Sequence, residues 1–230
     1  MTSRTHTSRT RTTERIALAS AAVALITASV RDDRVSENEA HFFRMVNELP
    51  DGLFRPVWPV MQLGALGAAP VAAAVAWREG DHRLAARLLL SGTATWALSK
   101  AFKQMVGRPR PAILLSGTRV RGADASGLGY LSGHAGVAVA LAAAALPSCP
   151  PRVRVLIMGF VPLVGLSRLY VGAHLPADVA AGAALGLAVE ETLYLLVGNG
   201  RPGPEKRRRG PHSLGASPKG YTFGSEVTSQ

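Results

Sequence analysis

The sequence predicts an all-α fold, a polytopic membrane helix bundle of about six transmembrane helices, and three observations carry that prediction. Ionisable residues are absent from Pro56 to Trp77, 22 consecutive positions, and at ~1.5 Å per residue such a run crosses a ~30 Å hydrocarbon core. Shorter apolar runs recur from Ile16 to Val189 without the polar face of an amphipathic surface helix. Charge is displaced to the ends: of a net +11, residues 1–15 carry +3 and residues 198–230 carry +4. Basic tails around an apolar middle fit a membrane surface and its lipids better than a nucleic-acid groove, and no specific nucleic-acid partner is expected because neither tail interleaves aromatics for base stacking. With 47% hydrophobic and 18% charged residues the chain is not disordered. Its single cysteine, Cys149, excludes an intrachain disulfide framework and a Cys-based zinc site.

Taken in order, residues 1–15 read as a basic cytoplasmic tail, 16–197 as the membrane domain and 198–230 as a disordered basic extension containing Lys206 to Arg209. The expected spans are 15–31, 57–77, 84–102, 134–149, 153–171 and 177–197, the shorter ones reaching full length by snorkelling of flanking Arg, Lys or His. The first segment has an alternative as a cleaved leader, since a basic start precedes its apolar run and the small residues Ala28 and Ser29 follow. Between spans one and two, His41, Phe42, Phe43, Met45, Val46 and Leu49 recur at near-helical spacing, either an interfacial element that guides a lipid tail or a helix packed on the bundle. Small residues dominate 135–145 and 180–188, which lets helix backbones approach closely in lipid. Glu190 and Glu191 fall inside the last span, so either they pair with Arg87 or Arg154 or the helix leaves the bilayer before them. The competing fold is a soluble bundle of Ala-rich helices.

Six spans put both termini on one side, which carries 15 Lys and Arg against 11 opposite, so the bias in basic residues places the termini in the cytoplasm. Three polar segments then share the extracytoplasmic face. In the first, Lys103 and Arg110 frame the end of a helix and a Pro-flanked loop, a point charge and a planar fork that suit one phosphate. The second, Tyr130-Leu131-Ser132-Gly133-His134, opens an apolar helix, so its amides lie where the helix dipole favours an anion. The third places Ser167, Arg168, His174 and Asp178 across one inter-helix turn, with the carboxylate four residues after the imidazole it would orient. Taken singly, each segment has a plainer reading as membrane-flanking charge, and Lys100 and Arg108 keep that reading beside a role near the site.

Lys103-x6-Arg110-Pro111, Ser132-Gly133-His134 and Ser167-Arg168-x5-His174-x3-Asp178 together resemble the three motifs of the type 2 phosphatidic acid phosphatase (PAP2) superfamily. The resemblance implies an integral-membrane phosphohydrolase working without metal or other cofactor, whose His174 is transiently phosphorylated with Asp178 orienting it, while His134 protonates the leaving oxygen. Lys103, Arg110, Ser132, Gly133 and Arg168 would then hold the phosphoryl oxygens. One departure stands at Leu131, where the family's second motif usually begins with proline; it removes a backbone restraint but no catalytic group. A site opening at the outer face suits a lipid phosphate: a polyprenyl diphosphate such as undecaprenyl diphosphate, phosphatidic acid or phosphatidylglycerol phosphate. The alternatives are a non-catalytic membrane interaction protein with a relic site, or a vanadate-dependent haloperoxidase-like enzyme.

Overall fold

Residues 2–122 and 126–197 are described by the computed structural model, and among them regular structure is helical apart from one isolated β-bridge. In chain order the helices are α1 Thr2–Ser29, α2 Glu37–Asn47, α3 Phe54–Gln62, α4 Ala68–Arg78, α5 His82–Val106, α6 Pro111–Leu114, α7 Gly133–Ala145, α8 Pro151–Tyr170 and α9 Pro176–Val197. Each expected span has a helical counterpart. Two of them, α8 and α9, are long and apolar enough by themselves to cross a membrane. The basic run Lys206 to Arg209 lies outside the described residues.

The uncharged run from Pro56 to Trp77, which reads as the clearest single span, is two helices. Residues 63–67 form turns between α3 and α4, held by short-range bonds such as Leu63 N to Val60 O at 3.1 Å and Gly64 N to Met61 O at 3.1 Å. Two glycines within five residues, each about 1 kcal/mol worse than alanine in a helix, weaken the run there. Packing supplies the rest, because a Cβ on Gly64 would stand 2.4 Å from the carbonyl oxygen of His134, at the start of α7. Hydropathy records that the segment is apolar and says nothing about this approach.

At the centre of the bundle α9 packs on α1, α5 and α7, while α7 also touches α5 and α8. The segment that the sequence leaves open as a leader is part of this packing: Ala19, Val23 and Val30 of α1 and its following turn are buried. The α7–α9 contact depends on missing side chains, since a Cβ on Gly182 would lie 2.2 Å from the Ser132 carbonyl oxygen. Gly182→Ala is therefore expected to lower the melting temperature of the detergent-solubilised protein and to displace the start of α7. An unchanged melting temperature would contradict that contact.

Glu190 and Glu191 are 1% and 2% exposed, so the helix does not leave the core before them. Glu190 pairs with the buried Arg87 of α5, and Glu191 with Arg15 of α1 at 2.6 Å. Arg154, the other expected partner, instead donates to the carbonyls of Cys149 at 2.8 Å and Pro147 at 3.3 Å. Charge along the first span's flank thus does more than mark topology: Arg15 ties α1 to α9.

Candidate active site

The residues of the third segment are brought together by how α8 stops. Gly172 has φ +73, and the amides of Gly172 and Ala173 turn back to the carbonyls of Leu169 at 2.9 Å and Arg168 at 3.0 Å, the Schellman pattern of a helix C-terminus. The His174 amide also reaches the Arg168 carbonyl, at 3.2 Å. A Cβ at Gly172 would meet the Arg119 carbonyl oxygen at 2.5 Å, so both its conformation and its space require glycine. Side chains from elsewhere add bonds to the carbonyls at this end. Asn47 of α2 donates to Leu169 O and Tyr170 O at 3.2 and 3.1 Å. Arg121 donates to Tyr170 O at 2.6 Å and lies over the Tyr170 ring at 4.3 Å.

The first segment is fixed by backbone pairing across a loop. Pro109 and Leu128 form the antiparallel bridge, flanked by Arg110 N to Gly127 O at 3.2 Å and Gly129 N to Arg108 O at 2.8 Å. Lys103, in the last turn of α5, donates to the carbonyls of Gly129 at 2.7 Å and Leu128 at 3.3 Å. The second segment is joined to the third by Ser132 N to Asp178 O at 2.9 Å. Ser132 caps α7, its hydroxyl accepting from Ala135 N at 3.4 Å, and Gly133 and His134 are the first two helical residues. Leu131 is fully buried with Tyr130, packed among Val23, Ala181 and Leu185, so at this position the chain fills the core with leucine where the motif usually has proline.

Around His174 the charges converge. The cations Lys103, Arg168 and Arg110 all act on its ring, and His134 lies within electrostatic reach of Arg168, His174 and Lys103. Arg168 is buried, and its guanidinium contacts the sulfur of Met61 in α3. His174 Nδ1 faces Asp178 Oδ2 at 3.7 Å, close enough for attraction and beyond a hydrogen bond. Burial first, and then the cations Lys103, Arg168 and Arg110, hold the His174 imidazole well below its ordinary value of 6.5.

A neutral imidazole is the nucleophilic form, so His174 is expected to remain neutral as pH falls through 6.5. The sign for stability follows. Below that pH the unfolded chain takes up a proton that the folded state refuses, and the native state loses stability as pH drops. Histidine-labelled protein followed by NMR, with the His174 signal assigned by its loss in His174→Ala, checks this. A midpoint at or above 6.5 would contradict the burial argument.

Two helix N-termini meet here and differ in charge. The first turn of α7 contains no acidic residue. The start of α9 carries two carboxylates: Asp178 Oδ2 accepts from Leu175 N at 2.8 Å, and Glu39 Oε1 accepts from Ala177 N at 3.0 Å. An incoming anion is favoured at α7 and opposed at α9.

Sequence reasoning left Arg108 between flanking charge and site and did not single out Glu39. Arg108 is fully buried, donating to Asp178 Oδ1 at 2.8 Å, Glu39 Oε2 at 3.2 Å and Arg34 O at 2.8 Å. One available signal was Ser36-x-x-Glu39 ahead of an apolar run, a helix-start pattern; Ser36 does cap α2, accepting from Glu39 N at 3.2 Å. In the same helix Phe43 is 1% exposed and packs with Leu169 and Leu175, whereas Phe42 is 43% exposed. Phe43 is thus a core residue, and α2 is packed on the bundle.

Residues 84–201, more than half of the chain, match the family model of the PAP2 superfamily. No curated protein matches. Among solved structures, LpxE from Aquifex aeolicus aligns with a TM-score of 0.57 at 22% identity, covering 68% of this chain and 94% of that one. A transmembrane PAP2 type phosphatidylglycerolphosphate phosphatase from Bacillus subtilis aligns with a TM-score of 0.64 at 20% identity, covering 80% of this chain and 94% of that one.

Proposed function

The chain belongs to the PAP2 superfamily and is by that membership a phosphatase, and we propose that it hydrolyses a lipid phosphate or diphosphate at the extracytoplasmic membrane face through a phosphohistidine at His174. The observation that carries this reading is the convergence of Lys103, Arg110 and Arg168 on His174, beside the start of α7, whose first turn has no acidic residue. Three cations and a helix N-terminus supply what phosphoryl transfer asks of a protein, charge stabilisation at the equatorial oxygens with little reorganisation.

With Nδ1 turned to Asp178, Nε2 is the nitrogen that attacks phosphorus, the ring giving up its hydrogen bond to the Gly129 backbone as substrate enters. The P–N bond forms as the P–O bond to the lipid alcohol or phosphate breaks, and His134 gives its proton to the departing oxygen. Asp178 stabilises the positive charge that the ring gains. Water then attacks the phosphohistidine, returning the ring to neutral and releasing phosphate, with His134 recovering a proton from that water. Lys103 exchanges its two carbonyl acceptors for phosphoryl oxygens when substrate binds.

The lipid preference rests on the fold. The site lies at the ends of α5, α7, α8 and α9, which supports a headgroup bound there with its tail in the hydrocarbon, and the six-span topology expected from the sequence, with both termini in the cytoplasm, would put that end outside. The domain so defined is 16–197, with basic tails on either side. A panel of phosphatidylglycerol phosphate, phosphatidic acid and a polyprenyl diphosphate, presented in detergent with chelator, ranks the substrates. Release from a soluble phosphate ester in preference to all three would overturn the lipid reading.

A further inference from the structure

We infer that Arg108 and Glu39 form a brace that positions Asp178 toward His174, making both of them positioning residues for the reaction. This inference rests on the reading of His174 as the nucleophile and adds to it two residues, Arg108 at an unassigned position within the first motif and Glu39 outside all three.

The geometry runs from α2 to the site. Glu39 takes both guanidinium nitrogens of Arg108, Oε2 from Nη2 at 3.2 Å and Oε1 from Nη1 at 3.5 Å, and its Oε1 also accepts the Ala177 amide at 3.0 Å. Arg108 Nη1 donates in turn to Asp178 Oδ1 at 2.8 Å. The second oxygen of Asp178 accepts from Leu175 N at 2.8 Å and is the one that faces His174 Nδ1 at 3.7 Å. One oxygen of the carboxylate is thus held by the brace, and the other by its own helix start.

Two carboxylates and one guanidinium, all on buried or nearly buried side chains, give a chain of charges that is stable only when complete. Without Arg108, Glu39 and Asp178 face one another across the start of α9 with nothing between them, and repulsion turns the Asp178 carboxylate away from the imidazole. Without Glu39, Arg108 keeps one acidic partner and loses the one that fixes its plane. A fork that binds two carboxylates at once is a task for arginine rather than lysine. The chain places that arginine between Gly107 and Pro109, in a backbone already pinned by the Gly129 amide on the Arg108 carbonyl. Arg108 donates into a carboxylate pair, and the brace gives it the task of holding Asp178.

The test is a double-mutant cycle on phosphate release from short-chain phosphatidic acid in detergent, using the full chain. Arg108→Met is expected to lower kcat on the order of 10²-fold with KM little changed, because the misplaced group acts on the reacting centre. Arg108→Lys recovers only part of the loss. In an Asp178→Asn background, Arg108→Met is expected to cost little more, since its effect passes through Asp178. Full additivity of the two losses, or a raised KM with kcat unchanged, would overturn the brace. Should Arg108→Met fail to yield folded protein, Glu39→Gln, which preserves shape, decides: a lowered kcat at an unchanged melting temperature supports the brace, and wild-type kcat overturns it. His174→Ala, run alongside, separates the two levels. Activity surviving in that variant defeats the nucleophile reading itself, whereas a dead His174→Ala with fully active brace variants defeats this inference alone.

Discussion

Replacing His174 with alanine is expected to abolish phosphate release while leaving the protein folded. The side chain is buried at the turn between α8 and α9, and its main chain is held independently of the ring, by the His174 amide on the Arg168 carbonyl at 3.2 Å. In the proposed mechanism removing the imidazole deletes the nucleophile, and His134, the second residue of α7, has the separate role of proton donor. The residual rate is that of charge stabilisation alone. Turnover of lipid labelled in its phosphate, quenched in alkaline denaturant, adds a second readout, since the wild type should retain base-stable label on protein that acid then releases, and His174→Ala none. Near-normal release from the variant would overturn the mechanism. Lost release with label still bound elsewhere would move the nucleophile to another residue.

At the other end of the bundle, Arg87→Met is expected to destabilise the protein by about 3–5 kcal/mol, the range for removing one member of a buried ion pair. Arg87 and Glu190 are 3% and 1% exposed, and the guanidinium also lies 5.2 Å from the centre of the Tyr194 ring, so the substitution removes the buried ion pair that Arg87 makes with Glu190. The double variant Arg87→Met with Glu190→Met should regain much of the loss, because two apolar side chains need no compensation in a bundle core. Unfolding in detergent, followed by the loss of helical signal, gives both differences. A double variant no more stable than Arg87→Met would mean that the pair itself, and not the stranded charge, holds α5 to α9. Phosphatase activity of the folded double variant should remain near wild type, since the pair lies at the end of α9 opposite His174.

The parts of the site legible in the sequence are those that lie within a few residues of one another. Lys103 and Arg110 straddle a single helix end, Ser132 to His134 open a single helix, and Arg168 to Asp178 cross a single turn, so spacing alone proposes their company. Arg108 and Glu39 are 69 positions apart, and Glu39 and the Ala177 amide 138, so no local pattern joins them. The same holds for Arg15 and Glu191, 176 positions apart. In each case one partner has an ordinary local reading, as tail charge, loop charge or helix start, and only the packing of α1 and α2 against α9 reveals the other. The break between α3 and α4 escaped for a related reason: its two glycines weaken the run, but the approach of the His134 backbone that requires one of them is not a local signal.

That break also bears on how the molecule sits in bilayers of different thickness. A continuous helix meets a mismatch by tilting as one rod, and would carry everything attached to it along. Here the apolar segment from Pro56 to Trp77 is divided at residues 63–67, so α4 can lean with α5 while α3 stays with α8, against which it packs. A mismatch in thickness is then expected to load this elbow before the turn that carries His174, which is tied to α2 and to the loop of Arg121 by polar bonds.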